Sequence, residues 1–135
     1  MTSLKSIFLS CALFCSAAAF AQDENPLWLR KSCISPDGKT ITFGYKGDIY
    51  TVAREGGIAR QITSHEAHDD APKWTADSKQ IVFTSHREGM GSKDLYLTSA
   101  IGGKAKRLTD FPGSEILLTV TGEGKLIFSA SIDND

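Results

Sequence analysis

From Leu29 onward, short apolar runs alternate with turn residues. In Thr40-Ile41-Thr42-Phe43-Gly44-Tyr45, the residues Ile41, Phe43 and Tyr45 recur with a period of two and share one face of an extended segment. Pro36-Asp37-Gly38-Lys39 precedes this run as a turn, with Asp supplying an acceptor and Gly a positive φ. Lys46-Gly47 then turns the chain into Asp48 to Ala53, and Gly56-Gly57 turns it into Ile58 to Thr63. With an extended segment from about Leu29 to Ser35, these make four antiparallel strands joined by tight turns.

The same parts then recur. Lys73-Trp74-Thr75 enters a second copy, Ala76-Asp77-Ser78-Lys79 turns, and Gln80 to Thr84, Leu95-Tyr96-Leu97 and Ala105 to Thr109 are the strands that follow. A third copy supplies Ile116 to Val120, a Gly122-Glu123-Gly124 turn and Leu126 to Ala130. Asp37 to Asp77 and Phe43 to Phe83 are each 40 residues apart. Tyr50 to Tyr96, Gly57 to Gly103 and Thr63 to Thr109 are each 46 apart, because the second copy carries six extra residues between Phe83 and Asp94. Short strands repeating at this period mark the blades of a β-propeller. Ile81-Val82-Phe83 and Leu95-Tyr96-Leu97 are apolar without alternation, as in a sheet covered on both faces.

The expected fold class is therefore all-β: a partial β-propeller of about two and a half four-stranded blades, preceded by a signal peptide. The blades are expected at about 29–63, 72–109 and, incomplete, 116–135, within a propeller unit of 22–135. A blade cannot bury its own faces, so the sequence reads as the N-terminal piece of a longer product. Residues 22–135 made separately are expected to be poorly stable or to aggregate.

The front of the chain has a different composition. A polar start with one cation, Lys5, leads into an apolar run from Ile7 to Phe20 and a small-x-small site at Ala19-Phe20-Ala21. Residues 1–21 read as a secretory signal peptide, too short in its apolar run for a comfortable membrane span. The protein is expected to be exported, to the periplasm or the outside, with no membrane span after cleavage. Cleavage after Ala21 would remove Lys5 and no acid, taking the formal charge from −1 to −2. That balance offers nothing to nucleic acid. Of the three cysteines only Cys33 would remain, so packing alone must hold the domain; Cys33 itself reads as a small buried hydrophobe.

The densest cluster of chemistry is His65-Glu66-Ala67-His68-Asp69-Asp70. Its spacing is not the helical His-Glu-x-x-His of a zinc site, and it lies in a connection ending at Pro72. It reads as a polar inter-blade loop, in which His65, Glu66, His68, Asp69 and Asp70 form a candidate rim. Ser85-His86-Arg87-Glu88 contains a serine and a histidine, but neighbours on one strand end point apart, which is poor geometry for a proton relay. A turn with a structural Arg87 ion pair fits better. Trp74 and Trp28 read as core residues. No catalytic residue, cofactor or metal is expected in this segment.

The pattern SPDGKTITF, DIYTV and GGIARQIT, with its echoes WTADSKQIVFTS and DLYLTSAIGGKAKRLT, resembles the WD-repeat-like propellers of secreted bacterial proteins. That group includes the Tol-system periplasmic propeller and the propellers of tricorn-type serine proteases. The resemblance covers about Leu27 to Asp135, with His86 and Ser78 standing where the repeats usually carry Asp and Gly. The start of the propeller directly after the signal segment and the loop ITSHEAHDDAPKWTADSKQIVF favour the tricorn type. The resemblance implies a substrate-gating or docking module of an exported serine peptidase, whose catalytic domain lies downstream. Its partners would be a peptide or protein substrate and the downstream domains of the same polypeptide. The alternatives are a non-enzymatic periplasmic protein-binding scaffold, or the propeller of another exported hydrolase such as a prolyl peptidase or amidohydrolase.

Overall fold

The computed structural model of the chain describes residues 29–89 and 91–132. The proposed signal peptide and Trp28 lie outside them. Ten strands follow in order: β1 (Arg30–Ile34), β2 (Thr40–Tyr45), β3 (Asp48–Ala53), β4 (Arg60–Gln61), β5 (Asp69–Trp74), β6 (Gln80–Ser85), β7 (Asp94–Ser99), β8 (Lys106–Arg107), β9 (Ser114–Val120) and β10 (Leu126–Ser131). They form two four-stranded sheets, β1-β2-β3-β4 and β5-β6-β7-β8, and a two-stranded sheet, β9-β10. All strand pairings within these sheets are antiparallel. This is an all-β arrangement of successive meanders, consistent with part of an unclosed propeller. Among the described residues no helix is long and apolar enough to cross a membrane.

The sheets repeat in register as well as in sequence. Phe43 pairs with Tyr50 across β2 and β3, and Phe83 with Tyr96 across β6 and β7. Both ring pairs stack, with centroids 5.9 Å apart. Each third strand begins at an aspartate, and the next backbone amide is held by a threonine from beyond the fourth strand. Ile49 N–H donates to Thr63 Oγ1 and Leu95 N–H to Thr109 Oγ1, both at 2.9 Å. At the opposite end, Asp37 Oδ1 accepts from Lys39 N–H at 3.1 Å, and Asp77 Oδ1 from Lys79 N–H at 3.0 Å. Ser35 and Thr75 hydroxyls donate to the same carboxylates. Those hydrogen bonds, the serine and threonine first, hold both carboxyls below the usual aspartate value.

The core sits between sheets. Ile49 from the first sheet and Ile62, just after β4, pack with Trp74, Ile81, Phe83 and Tyr96 from the second. The second sheet's other face puts Val82 and Leu95 against Leu117 of β9, with Leu97, Val120 and Leu126 around them. Ile81, Val82 and Phe83 are all essentially inaccessible, which explains why that run does not alternate. Trp74 lies in this core, its Nε1–H donating to the Cys33 carbonyl at 3.2 Å, whereas Cys33 is only half-buried.

Several boundaries differ from the sequence reading. The fourth strands are two residues each, not the five or six predicted, and Ile58 at the start of the first is 97% exposed. Only Tyr50 and Thr51 of β3 find partners in β4, because Gly56 and Gly57 with φ of 92° and 115° carry the chain away before it returns. The first strand of the second sheet begins at Asp69, three residues ahead of Pro72. Pro72 sits inside β5 at a register break between Asp70 and Lys73, where Ala71 takes φ of 50°. Proline has no N–H for the ladder, and the bulge removes the demand for one.

Candidate functional site

The rim cluster read from sequence divides in two. Asp69 and Asp70 are not in a loop, since they open β5, and only residues 62–68 connect the sheets. Asp69 is fully buried, and Arg87 Nη2 donates to its Oδ2 at 2.7 Å. Lys31 Nζ donates to Asp70 Oδ2 at 2.5 Å, tying the first strands of neighbouring sheets together. Burial pushes the Asp70 carboxyl up, but the Lys31 bond, the Ala71 amide and nearby positive charge outweigh it and hold it below the usual aspartate value. Both acids are thus structural, whereas His65, Glu66 and His68 are exposed.

The six extra residues of the second repeat form the connection 86–93, where the first sheet has only the two-residue turn Lys46-Gly47. The described residues of this loop are anchored at several points. His86 Nδ1 lies 3.1 Å from the Ser92 carbonyl, and Gly89 N–H donates to the His86 carbonyl at 3.0 Å. Tyr96 donates its hydroxyl proton to Glu88 Oε1 at 3.1 Å. Burial and the Glu88 carboxylate together raise the Tyr96 phenol to about 12. Arg87 reaches inward to Asp69 with its guanidinium carbon 5.4 Å from the Phe83 ring centre and 5.1 Å from that of Tyr96. The ion pair expected for Arg87 is therefore present, and its partner is the first residue of β5.

Between the 62–68 connection and this loop lies a hollow of about 640 Å³, lined by His65, Glu66, Ala67, His68, His86, Arg87 and Gly89. All three histidines of the chain line it. A second cleft of about 370 Å³ adjoins it through His68 and runs along the seam between the first two sheets, past Arg30, Lys31, Tyr45, Lys46 and Asp70. Sequence reading placed His65, Glu66 and His68 at this rim but did not join His86, Arg87 and Gly89 to them. The signal for that juxtaposition was the six-residue insertion itself. The Lys31 contact with Asp70 has no such signal, since the two residues are joined only by packing of separate blades.

What the hollow can do follows from its groups. Ser85 is buried, and the adjacent His86 ring is engaged with Ser92, so the two do not form an accessible nucleophile and base. Among the described residues no group of three His, Cys, Asp or Glu side chains is arranged to hold a metal ion. Arg87 and Glu88 are both spoken for by Asp69 and Tyr96. What remains is a concave surface with imidazole groups on two sides.

No family model matches the chain. Among curated proteins it is 34% identical over 95 residues to the uncharacterized peptidase YuxL of Bacillus subtilis, covering 62% of this chain and 14% of that protein. It is 35% identical over 66 residues to dipeptidyl-peptidase 5 of Porphyromonas gingivalis, covering 42% of this chain and 10% of that protein. The chain thus spans a small part of the relatives it matches. Among solved structures, a TolB-type protein from Agrobacterium tumefaciens aligns with a TM-score of 0.67 at 24% identity, over 76% of this chain and 38% of that one. The tricorn protease aligns with a TM-score of 0.63 at 23% identity, over 77% of this chain and 11% of that one. The fold is a β-propeller fold related to TolB-type and tricorn-associated propellers. At these identities the structural likeness concerns the fold alone.

Proposed function

We propose that this chain is the non-catalytic propeller segment of an exported protein and that it binds extended polypeptide at the rim formed by residues 62–68 and 86–93. The observation that carries this reading is the anchoring of His86, Arg87, Glu88 and Gly89, which build a concave wall while Ser85 is buried and the His86 ring is engaged with Ser92. A binding role without chemistry suits a fold whose blades serve many activities. The likeness to a TolB-type structure supports the propeller part of this reading.

A second reading adds a hydrolase. Two of the relatives are named peptidases, YuxL and dipeptidyl-peptidase 5, and their identities of 34% and 35% exceed the 27% of a tricorn protease homolog from Streptomyces coelicolor. That ordering favours an exported peptidase of another type over the tricorn type for the parent protein. In either case the propeller presents polypeptide to its partner domains and performs no bond cleavage. The test is Ser85→Ala in the complete protein, followed by assays of peptide binding and hydrolysis. Both are expected to be unchanged, because Ser85 is buried. Loss of hydrolysis with binding intact would place a nucleophile here and overturn the non-catalytic reading.

A further inference from the structure

We infer that the hollow between the 62–68 connection and loop 86–93 recognises the main-chain amide of an extended peptide, with His65 donating to a carbonyl oxygen and His86 accepting from an N–H. The inference rests on the polypeptide-binding reading and names the groups that carry it out.

The two rings are fixed in opposite tautomers by their internal bonds. Ala67 N–H donates to His65 Nδ1 at 3.0 Å, and a ring nitrogen that accepts carries no proton. Neutral His65 therefore has its proton on Nε2 and offers a donor there. His86 Nδ1 lies 3.1 Å from the Ser92 carbonyl oxygen, which only accepts, so Nδ1 must donate. Neutral His86 therefore offers a lone pair at Nε2. With one nitrogen of each ring already spent, the pair brings to the hollow one donor and one acceptor.

That combination selects among ligand chemistries. An anion calls for donors, and here one of the two rings offers an acceptor instead. A metal ion calls for a convergent set of lone pairs, and among the described residues no three His, Cys, Asp or Glu side chains are arranged to hold one. A peptide unit presents one N–H and one C=O, both of which need partners once water is excluded. The rest of the wall agrees with a main-chain ligand. Arg87 is neutralised by Asp69 at 2.7 Å, and Glu88 is occupied by Tyr96, so the carboxylate left on the lining is that of Glu66, which disfavours an anion. Ala67 and Gly89 contribute little side-chain bulk to the wall, and a hollow of about 640 Å³ is of ligand-binding size.

The test uses the intact protein and a hexapeptide of alternating glycine and alanine, acetylated and amidated so that it has no charged ends. Binding is read on the peptide by saturation-transfer NMR. His65→Asn keeps an acceptor for the Ala67 amide, and His86→Asn keeps a donor for the Ser92 carbonyl, so each removes only the outward group. Each variant is expected to weaken binding by about threefold to tenfold, the value of one hydrogen bond. The same peptide with N-methylated amides is expected to lose binding to the unaltered protein, which tests the inference without any substitution. Equal binding of the methylated peptide, or unchanged affinity in both variants, would overturn this assignment while leaving polypeptide binding elsewhere intact. Failure of the parent protein to bind the blocked hexapeptide or an unfolded polypeptide would instead remove the polypeptide-binding reading itself. Tight binding of zinc ions that is lost in both variants would overturn the amide assignment in favour of a metal site.

Discussion

Asp69 and Arg87 show how one pair of residues fixes the rim. The Asp69 side chain has no solvent exposure and the Arg87 side chain 15%, at a separation of 2.7 Å. A buried pair of this kind adds little net stability, but removing one partner strands the other charge. Arg87→Ala is therefore expected to cost about 3–5 kcal/mol in denaturant unfolding of the complete protein. Combining it with Asp69→Leu is expected to recover most of that loss, since a buried pair exchanged for apolar residues is often neutral. A double variant as unstable as the single one would show that Arg87 acts through its contacts with Phe83 and Tyr96 instead. An Arg87 ion pair was expected from sequence, but its partner was not. Asp69 is eighteen residues away at the start of β5, and only the folded sheet brings it to Arg87 in the connection after β6.

At the scale of elements, β2, β3, β6, β7 and β10 were legible because their apolar pattern and turn residues agree. The turn at Ala76–Lys79 even tolerates Ser78 with φ of 60°, where the first copy has Gly38 with φ of 71°. Shorter features were less legible. Strands β4 and β8 make only two pairings each, so their length is set by where the glycine turns release the chain, which residue pattern does not encode. The start of β5 was hidden by Pro72, whose missing donor is accommodated by a bulge. For the candidate site, the polar connection was visible as a cluster, whereas its opposite wall showed only as an insertion of unknown path. Replacing residues 86–93 with a two-residue Asn-Gly turn, together with Asp69→Leu, recreates the short connection of the first sheet. The far-ultraviolet circular dichroism is expected to be unchanged while polypeptide binding falls at least about tenfold, the value of losing one or two hydrogen bonds and the wall that carries them. Retained binding would show that the insertion is decorative.

Across the whole molecule, stability depends on sheets covering one another. The second sheet is buried on both faces, by the first sheet on one side and by β9 on the other. The third sheet is not so covered among the described residues: Ile127 is 47% and Phe128 39% exposed, while Val82 and Phe83 at the corresponding places in β6 are buried. Residues 22–135 made separately are accordingly expected to associate or to lack a cooperative unfolding transition, as read by sedimentation and thermal melting. A monomer with a sharp transition at high temperature would show that this segment is self-contained. The two ends of the sheets also differ, with the connections 62–68 and 86–93 at one and the turns 36–39 and 76–79 at the other. Polypeptide binding at the first end is the central claim, and photo-crosslinking in the complete protein tests it most directly. A photoreactive residue at Glu66 is expected to capture an unfolded polypeptide, and one at Ala76 to capture none. Equal capture at both positions, or capture at Ala76 alone, would contradict the account.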